Sequence, residues 1–229
     1  MCPAAQNSMT GLRKDARSNL DRIMTAARTV FAEQGLGATL ADVAAAAGVG
    51  VGTVYRRFAN KDELIYEVYA GRVHRTEELA RAASEDPDVW AGMVRFFEQT
   101  IQDLAADRGL RELTSGGFTE SLGWARGTSP EQLAELLDEN HRVMGVHLAT
   151  LTERAKAAGV LRADFDPTDM MLVSLAVQST IAFGGAERPS LYRRVLTFVL
   201  DGLRPERGGP TQLPEPPLTE AELLSIRQR

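Results

Sequence analysis

Between Asp42 and Asp62 every charged side chain is a cation: Arg56, Arg57 and Lys61. Thr53 and Tyr55 place hydroxyls in the same stretch. No Ser/His/Asp set accompanies these residues, so bond-making chemistry has no machinery here. Guanidinium forks, an ammonium and hydroxyls instead suit anionic oxygens and the acceptor edges of bases, which is the chemistry of nucleic-acid recognition. Gly52 fits the same use, because a missing side chain lets the backbone approach a groove.

Residues 39–61, TLADVAAAAGVGVGTVYRRFANK, must position these groups. The stretch predicts two short helices joined by a tight glycine turn. Thr39 is an N-cap, and Asp42 three residues on completes a capping box with an anion in the first turn. Leu40, Val43 and Ala44 mark one buried face. Gly48 stands where the helix must stop and turn left-handed. The second helix is expected over residues 51–58, with Val54 and Phe58 facing inward four residues apart. Val51, Gly52, Thr53, Tyr55, Arg56 and Arg57 are then left on the outer side or its flanks. A short helix with that surface suits a DNA major groove.

The run Ala47-Gly48-Val49, Gly52-Thr53-Val54-Tyr55, Phe58 and Asn60-Lys61-Asp62-Glu63-Leu64 resembles the TetR/AcrR family of bacterial transcriptional regulators. By motif the resemblance covers residues 18–66, and the rest of the chain matches in length and helical layout. It implies that Thr39 and Lys61 hold phosphates at two helix N-termini. Tyr55 and Arg57 would touch the backbone, and Gly52, Thr53 and Arg56 would approach base edges, with Val51 beside them. Arg56 would read a guanine bidentately, worth about 1–3 kcal/mol of discrimination. A structural role for Tyr55, a half-buried ring closing the small core, is compatible with phosphate contact. Two departures stand out. Gly50 occupies a position often held by Ser in such proteins, costing a few tenths of a kcal/mol in capping. Arg57 replaces a more usual aromatic or His.

Charge is unevenly spread over the 229 residues. Residues 11–75 carry a net charge of +3 and residues 76–229 a net of −8, within a total of −5. An acidic protein with a basic head fits a module that meets DNA with one end. Cys2 is the single cysteine, which excludes an intramolecular disulfide and a cysteine zinc site. The N-terminus lacks a positive n-region followed by an apolar h-region, and the cytoplasm is expected.

Organisation along the chain follows from capping signals and apolar periodicity. Residues 1–17 are expected to form a flexible arm, whose Arg13, Lys14 and Arg17 either reach phosphates or simply solvate it. A first helix runs over residues 19–34, capped by Ser18, with Leu20, Ile23, Ala27, Val30 and Phe31 on one stripe. A long helix from Asn60 to about Ala83 links the head, residues 18–66, to the remainder and would act as its lever. Asp86-Pro87 predicts the next helix start, with Pro at its first position. A short helix over residues 108–113 precedes a glycine-broken stretch containing Phe118, Leu122 and Trp124. Ser129-Pro130 opens a helix to about Ala158, Asp166-Pro167 opens one to residue 184, and Ser190 starts the last core helix, ending at Leu203. Residues 204–229 form a Pro/Gly-rich tail in which 219–227 could be a short helix. The class expected is all-α: an N-terminal three-helix helix-turn-helix domain plus a larger C-terminal helical ligand-binding and dimerisation domain, residues 67–203.

From Met170 to Ala186 no residue is charged; the stretch is slightly short for a membrane span and is broken by Ser174, Gln178, Ser179 and Thr180. A helix apolar nearly all round is buried on two sides. By analogy with the family one side faces a second copy, giving a homodimer through residues 167–203 suited to palindromic DNA. The family also implies a small-molecule effector in the larger domain. Trp90, Phe97, Phe118, Met144 and Met171 are its apolar candidates, with His141, His147, Ser174 and Gln178 as polar ones; plain core packing is the competing reading for each. His141 and His147 sit about 120° apart on the helix, an awkward arrangement for one metal. Gly48-x-Gly50-x-Gly52 follows a helix, not a strand, and lacks a P-loop lysine. Neither cofactor, metal nor enzymatic activity is expected. The function indicated is a repressor released from operator DNA by a small molecule. An activator, a ligand-independent regulator, and a small-molecule-binding protein with a vestigial head are the alternatives.

Overall fold

A computed structural model describes residues 4–115 and 131–205, with side chains over 18–114 and 132–205. Every regular element among them is an α-helix, as the spacing of apolar residues predicts. In order they are α1 (Ala4–Gln34), α2 (Leu40–Ala47), α3 (Val51–Arg57), α4 (Lys61–Glu85), α5 (Val89–Ala106), α6 (Arg108–Ser115), α7 (Glu131–Ala157), α8 (Asp169–Gly184) and α9 (Leu191–Leu203). Two compact units result, Met1–Arg72 with Asp107–Leu136, and Val73–Ala106 with Leu137–Arg229.

The first unit is built on α1. Ile23, Ala27 and Phe31 are completely or almost completely buried on its stripe, and Val43, Val54, Phe58, Leu64 and Ile65 close over them. This helix starts at Ala4, well before the expected Ser18 cap. Residues 4–17 contain one glycine and no proline, so nothing in them halts a helix, and the flexible arm expected over 1–17 is helical in its backbone from Ala4 on. The unit also takes in α6, which head-local sequence signals do not place there. Gly109 explains how α6 comes so close: a Cβ there would fall against the Tyr69 hydroxyl and 2.9 Å from the Phe31 carbonyl oxygen.

Asp107 opens α6 as a buried cap. Its carboxylate accepts from the Leu110 N–H at 2.9 Å, from the Tyr69 hydroxyl at 2.9 Å and from Arg72 at 3.0 Å. Glu112, one turn further on, accepts from the Leu36 N–H at 2.7 Å and from Arg108 Nε at 2.7 Å. α6 therefore grips the α1–α2 loop and α4 through carboxylates more than 70 and 30 residues distant in sequence.

In the second unit α5 supplies the core, through Met93, Phe96, Phe97, Ile101 and Leu104. Its start differs from expectation. The helix opens at Val89, and Asp88, not Asp86, caps it by accepting from the Ala91 N–H at 3.0 Å. Asp86 instead accepts from the Asp88 N–H at 2.9 Å and pairs with Arg95, so Pro87 lies in the turn before the helix. Arg154 of α7 closes the end of α4 by donating to the Ser84 and Asp86 carbonyls. α7 ends in the same glycine-terminated turn as α2, with Gly159 at φ 68°.

α8 starts at Asp169, two residues after the expected Pro167, because Asp166 spends its carboxylate on the Thr168 N–H and hydroxyl. Met170, Val177 and Ile181 are buried within the unit. Met171, Leu172 and Phe183 of α8 and Phe198 of α9 are exposed. One of the two sides expected to be buried is thus open in the single chain. No described helix is long and apolar enough to cross a membrane. The expected cap at Ser129, the tail helix over 219–227, and Phe118, Leu122 and Trp124 lie outside the described residues.

Thr152 is fully buried on α7, yet its hydroxyl has no hydrogen-bond partner among the described residues. Such a group costs about 1–3 kcal/mol in desolvation. Thr152→Val keeps the shape and removes the cost, so it should raise Tm by roughly 2–6 °C for a chain of this size. A differential scanning melt that shows an unchanged or lower Tm would contradict the assignment.

Candidate nucleic-acid interface

Local chemistry builds the turn between α2 and α3. Thr39 Oγ1 accepts from the Asp42 N–H at 3.2 Å, while the Asp42 carboxylate accepts from the Thr39 N–H at 2.8 Å, closing the expected capping box. The Thr39 hydroxyl also donates to the Asp42 carboxylate at 2.6 Å, and this bond, then the one from the Thr39 N–H, holds the Asp42 carboxyl below the usual carboxylate range. Gly48 adopts φ 63°, and the Val49 N–H reaches the Ala44 carbonyl at 3.0 Å. That is the left-handed helix stop, which a Cβ would strain.

Arg22 of α1 is the residue that local pattern does not reveal. Its Nη2 donates to the Ala47 carbonyl at 2.6 Å and the Gly48 carbonyl at 3.1 Å. A cation thus sits on the carbonyl end of α2, where the helix dipole favours it, and fixes the turn from which α3 departs. The partners lie 25 and 26 residues away, so only folded geometry shows the cap. Arg22 is exposed, and Arg22→Ala should cost only about 1 kcal/mol, seen as a fall of ~2–4 °C in Tm. A melt within about 0.5 °C of the parent would show the cap to be idle.

α3 presents its side chains as the sequence suggests. Val54 and Phe58 are fully buried, whereas Tyr55 is 57% exposed and Val51 40% exposed. Gly52, Arg56 and Arg57 are exposed, and Thr53 is half-buried. Arg56 Nη2 donates to Thr53 Oγ1 at 3.0 Å, and the Arg57 guanidinium lies 5.2 Å from the centre of the Phe58 ring. At the start of α4, Asn60 caps by accepting from the Glu63 N–H at 2.8 Å. Glu63 reaches past the cap to the Ala59 N–H at 2.7 Å, a variation on the expected box. Lys61 is half-buried beside it. Burial lowers its ammonium from the ordinary lysine value, and Asp62 and Glu112 oppose that shift. The exposed set of Thr39, Gly52, Tyr55, Arg56 and Arg57 carries no acid on α3, so the outer surface of that helix is cationic.

The ligand candidates of the larger unit are less concentrated. Phe97 is buried against Phe96, with ring centres 5.7 Å apart. Trp90 is half-buried beneath Arg204, whose guanidinium lies 4.5 Å from the ring centre. Gln178 is nearly buried and donates to Ser174 Oγ at 3.0 Å. His147 is half-buried, with Nδ1 3.4 Å from Ser84 Oγ, and Met144 is half-buried. His141 and Met171 are exposed in the single chain and so line no buried space. Phe118 lies outside the described residues. The Thr152 and Thr100 hydroxyls, buried and without a partner among the described residues, are polar groups that apolar periodicity gave no reason to single out. A cleft of about 710 Å³ lies instead in the head, along α1 and α2, bordered by Asp21, Arg22, Thr25 and Ala46.

Residues 23–68 match the family described as bacterial regulatory proteins, tetR family, and residues 88–205 match the SbtR-like transcriptional regulator C-terminal domain. The probable HTH-type transcriptional regulator ArpR of Pseudomonas putida is 34% identical over 158 residues, 65% of this chain and 73% of ArpR. The TetR transcriptional regulator SCO0520 from Streptomyces coelicolor superposes with a TM-score of 0.55 at 27% identity, covering 82% of this chain and 99% of that one. The SmeT–triclosan complex shares the fold, with a TM-score of 0.57 at 20% identity over 88% of this chain and 99% of that one. With both regions matched, the chain belongs to the TetR family and is a DNA-binding transcriptional regulator.

Proposed function

We propose that the protein is a homodimeric repressor that grips palindromic operator DNA through residues 39–61 and lets go when a small molecule occupies the larger unit. The observation that carries the DNA side is the exposure of Tyr55, Arg56 and Arg57 on a helix whose Val54 and Phe58 are fully buried. α3 enters the major groove, with Gly52, Thr53 and Arg56 toward base edges and Val51 against them. Thr39, Tyr55, Arg57 and Lys61 hold phosphates. The exposed apolar residues of α8 and α9 meet their two-fold mates, and two α3 helices then address two half-sites. The site of action is the bacterial cytoplasm, where the chromosome lies, and the protein performs no catalysis.

The effector side draws on the SmeT–triclosan complex and on buried polar groups of this chain's larger unit, Gln178 and Thr152. Phe97, Trp90, Met144 and His147 are the side chains nearest to supplying an apolar lining with a polar handle. Release needs an effector that binds the non-operator state more tightly, and the shift cannot exceed that difference in affinity.

A mobility-shift titration tests the DNA assignment. Arg56→Ala should relax sequence preference by about 1–3 kcal/mol at one position. Lys61→Ala should weaken every duplex alike and reduce the salt slope by about one. If both variants bind as the parent does, the roles given to α3 and the start of α4 are wrong.

A further inference from the structure

The two arginines that end α3 are parked on different partners. Arg57 lies over the Phe58 ring, while Arg56 turns back one helical turn to donate to the Thr53 hydroxyl at 3.0 Å. No carboxylate is present in α3 to take the Arg56 guanidinium elsewhere. A guanidinium has five N–H donors in a rigid fork, so one bond to Thr53 leaves enough for a bidentate contact with guanine N7 and O6. Thr53 is β-branched and has only two favoured χ1 rotamers in a helix, so its hydroxyl offers few positions to a long, flexible side chain. Arg56 would otherwise lose rotamer freedom only on meeting DNA.

We propose that Thr53 sets sequence selectivity through Arg56: its hydroxyl holds the guanidinium in the reading pose before DNA arrives. Thr53, which faces the base edges beside Arg56 in the function proposed above, then acts there as a positioning residue, through the Arg56 guanidinium. The inference rests on the reading of α3 as the base-reading helix. It adds that the reading pose exists in the free protein.

The test uses the full-length protein and a duplex that it selects from a random-sequence pool. The affinity ratio is measured between that duplex and copies in which single G·C pairs are replaced by A·T. At the pair that Arg56 reads, Arg56→Ala should lower the ratio by about 10- to 100-fold. Thr53→Val should lower it by roughly three- to tenfold, with the salt slope unchanged. Thr53→Ser, which keeps the hydroxyl, should restore most of it. In the Arg56→Ala background Thr53→Val should add nothing, since the group it positions is gone. A parent-like ratio for Thr53→Val beside a reduced one for Arg56→Ala overturns the proposal alone. A full Thr53→Val loss that persists without Arg56 shows direct contact and also overturns it. An unchanged ratio for Arg56→Ala removes the base-reading role of α3 and the proposal with it.

Discussion

Leu172→Asp should yield a folded monomer that binds operator DNA about 10²- to 10⁴-fold more weakly than the parent. Leu172 is 62% exposed on α8, and Phe198 of α9 is 53% exposed. Met171 and Phe183 extend the apolar surface along α8. Because Leu172 is not part of the unit's own core, a carboxylate there should change the stability of the fold by only about 0.5 kcal/mol. In a two-fold contact the same substitution places two carboxylates in one apolar patch, and both would have to be desolvated. Loss of pairing turns a bivalent attachment to two half-sites into a single weak one. Sedimentation at micromolar concentration and a mobility shift on the selected duplex read the two effects together. A dimer with parental affinity would assign the exposed face to something other than a second copy.

Asp107→Ala should destabilise the protein by about 3 kcal/mol, the sum of a lost cap and an orphaned phenol. The Asp107 side chain is only 5% exposed and serves the Leu110 N–H and the Tyr69 hydroxyl at once. Arg72 is more open to solvent, so its ion pair with Asp107 contributes the lesser share. The expected fall in Tm is roughly 6–12 °C. The same site gives a signed pH response. Burial, then the neighbouring Asp107 carboxylate, pushes the Tyr69 phenol far above its ordinary value. The unfolded chain ionises this group from about pH 10 while the folded one keeps it neutral. Stability from Tyr69 is therefore complete below that pH and declines as pH rises past it. Tyr69→Phe should flatten this alkaline decline in a urea-midpoint series; an identical decline in both proteins would place its origin elsewhere.

Much of the head was legible because its determinants are local. Thr39 and Asp42 are three residues apart, Gly48 marks its own turn, and Val54 and Phe58 share one face of a short helix. The cross-chain contacts were not legible. Arg22 finds its carbonyls across a turn of the fold, and Glu112 finds the Leu36 N–H 76 residues away. Competing caps also misled: Asp86 and Asp88 both precede α5, and only geometry decides which one accepts from the helix. In the larger unit, residue type alone could not separate lining from core. Phe97 and Met171 look equally suitable as ligand contacts, yet one is buried and the other opens to solvent.

Because Asp107–Leu136 folds with Met1–Arg72, the reader is a split object on the genetic map. Anyone grafting its operator preference onto another regulator by cutting after α4's first turns would leave behind the Asp107 and Glu112 carboxylates and the close-fitting Gly109. Such a hybrid would carry the recognition residues on a loosened base. A transplant that also moves residues 107–115 should keep its footing.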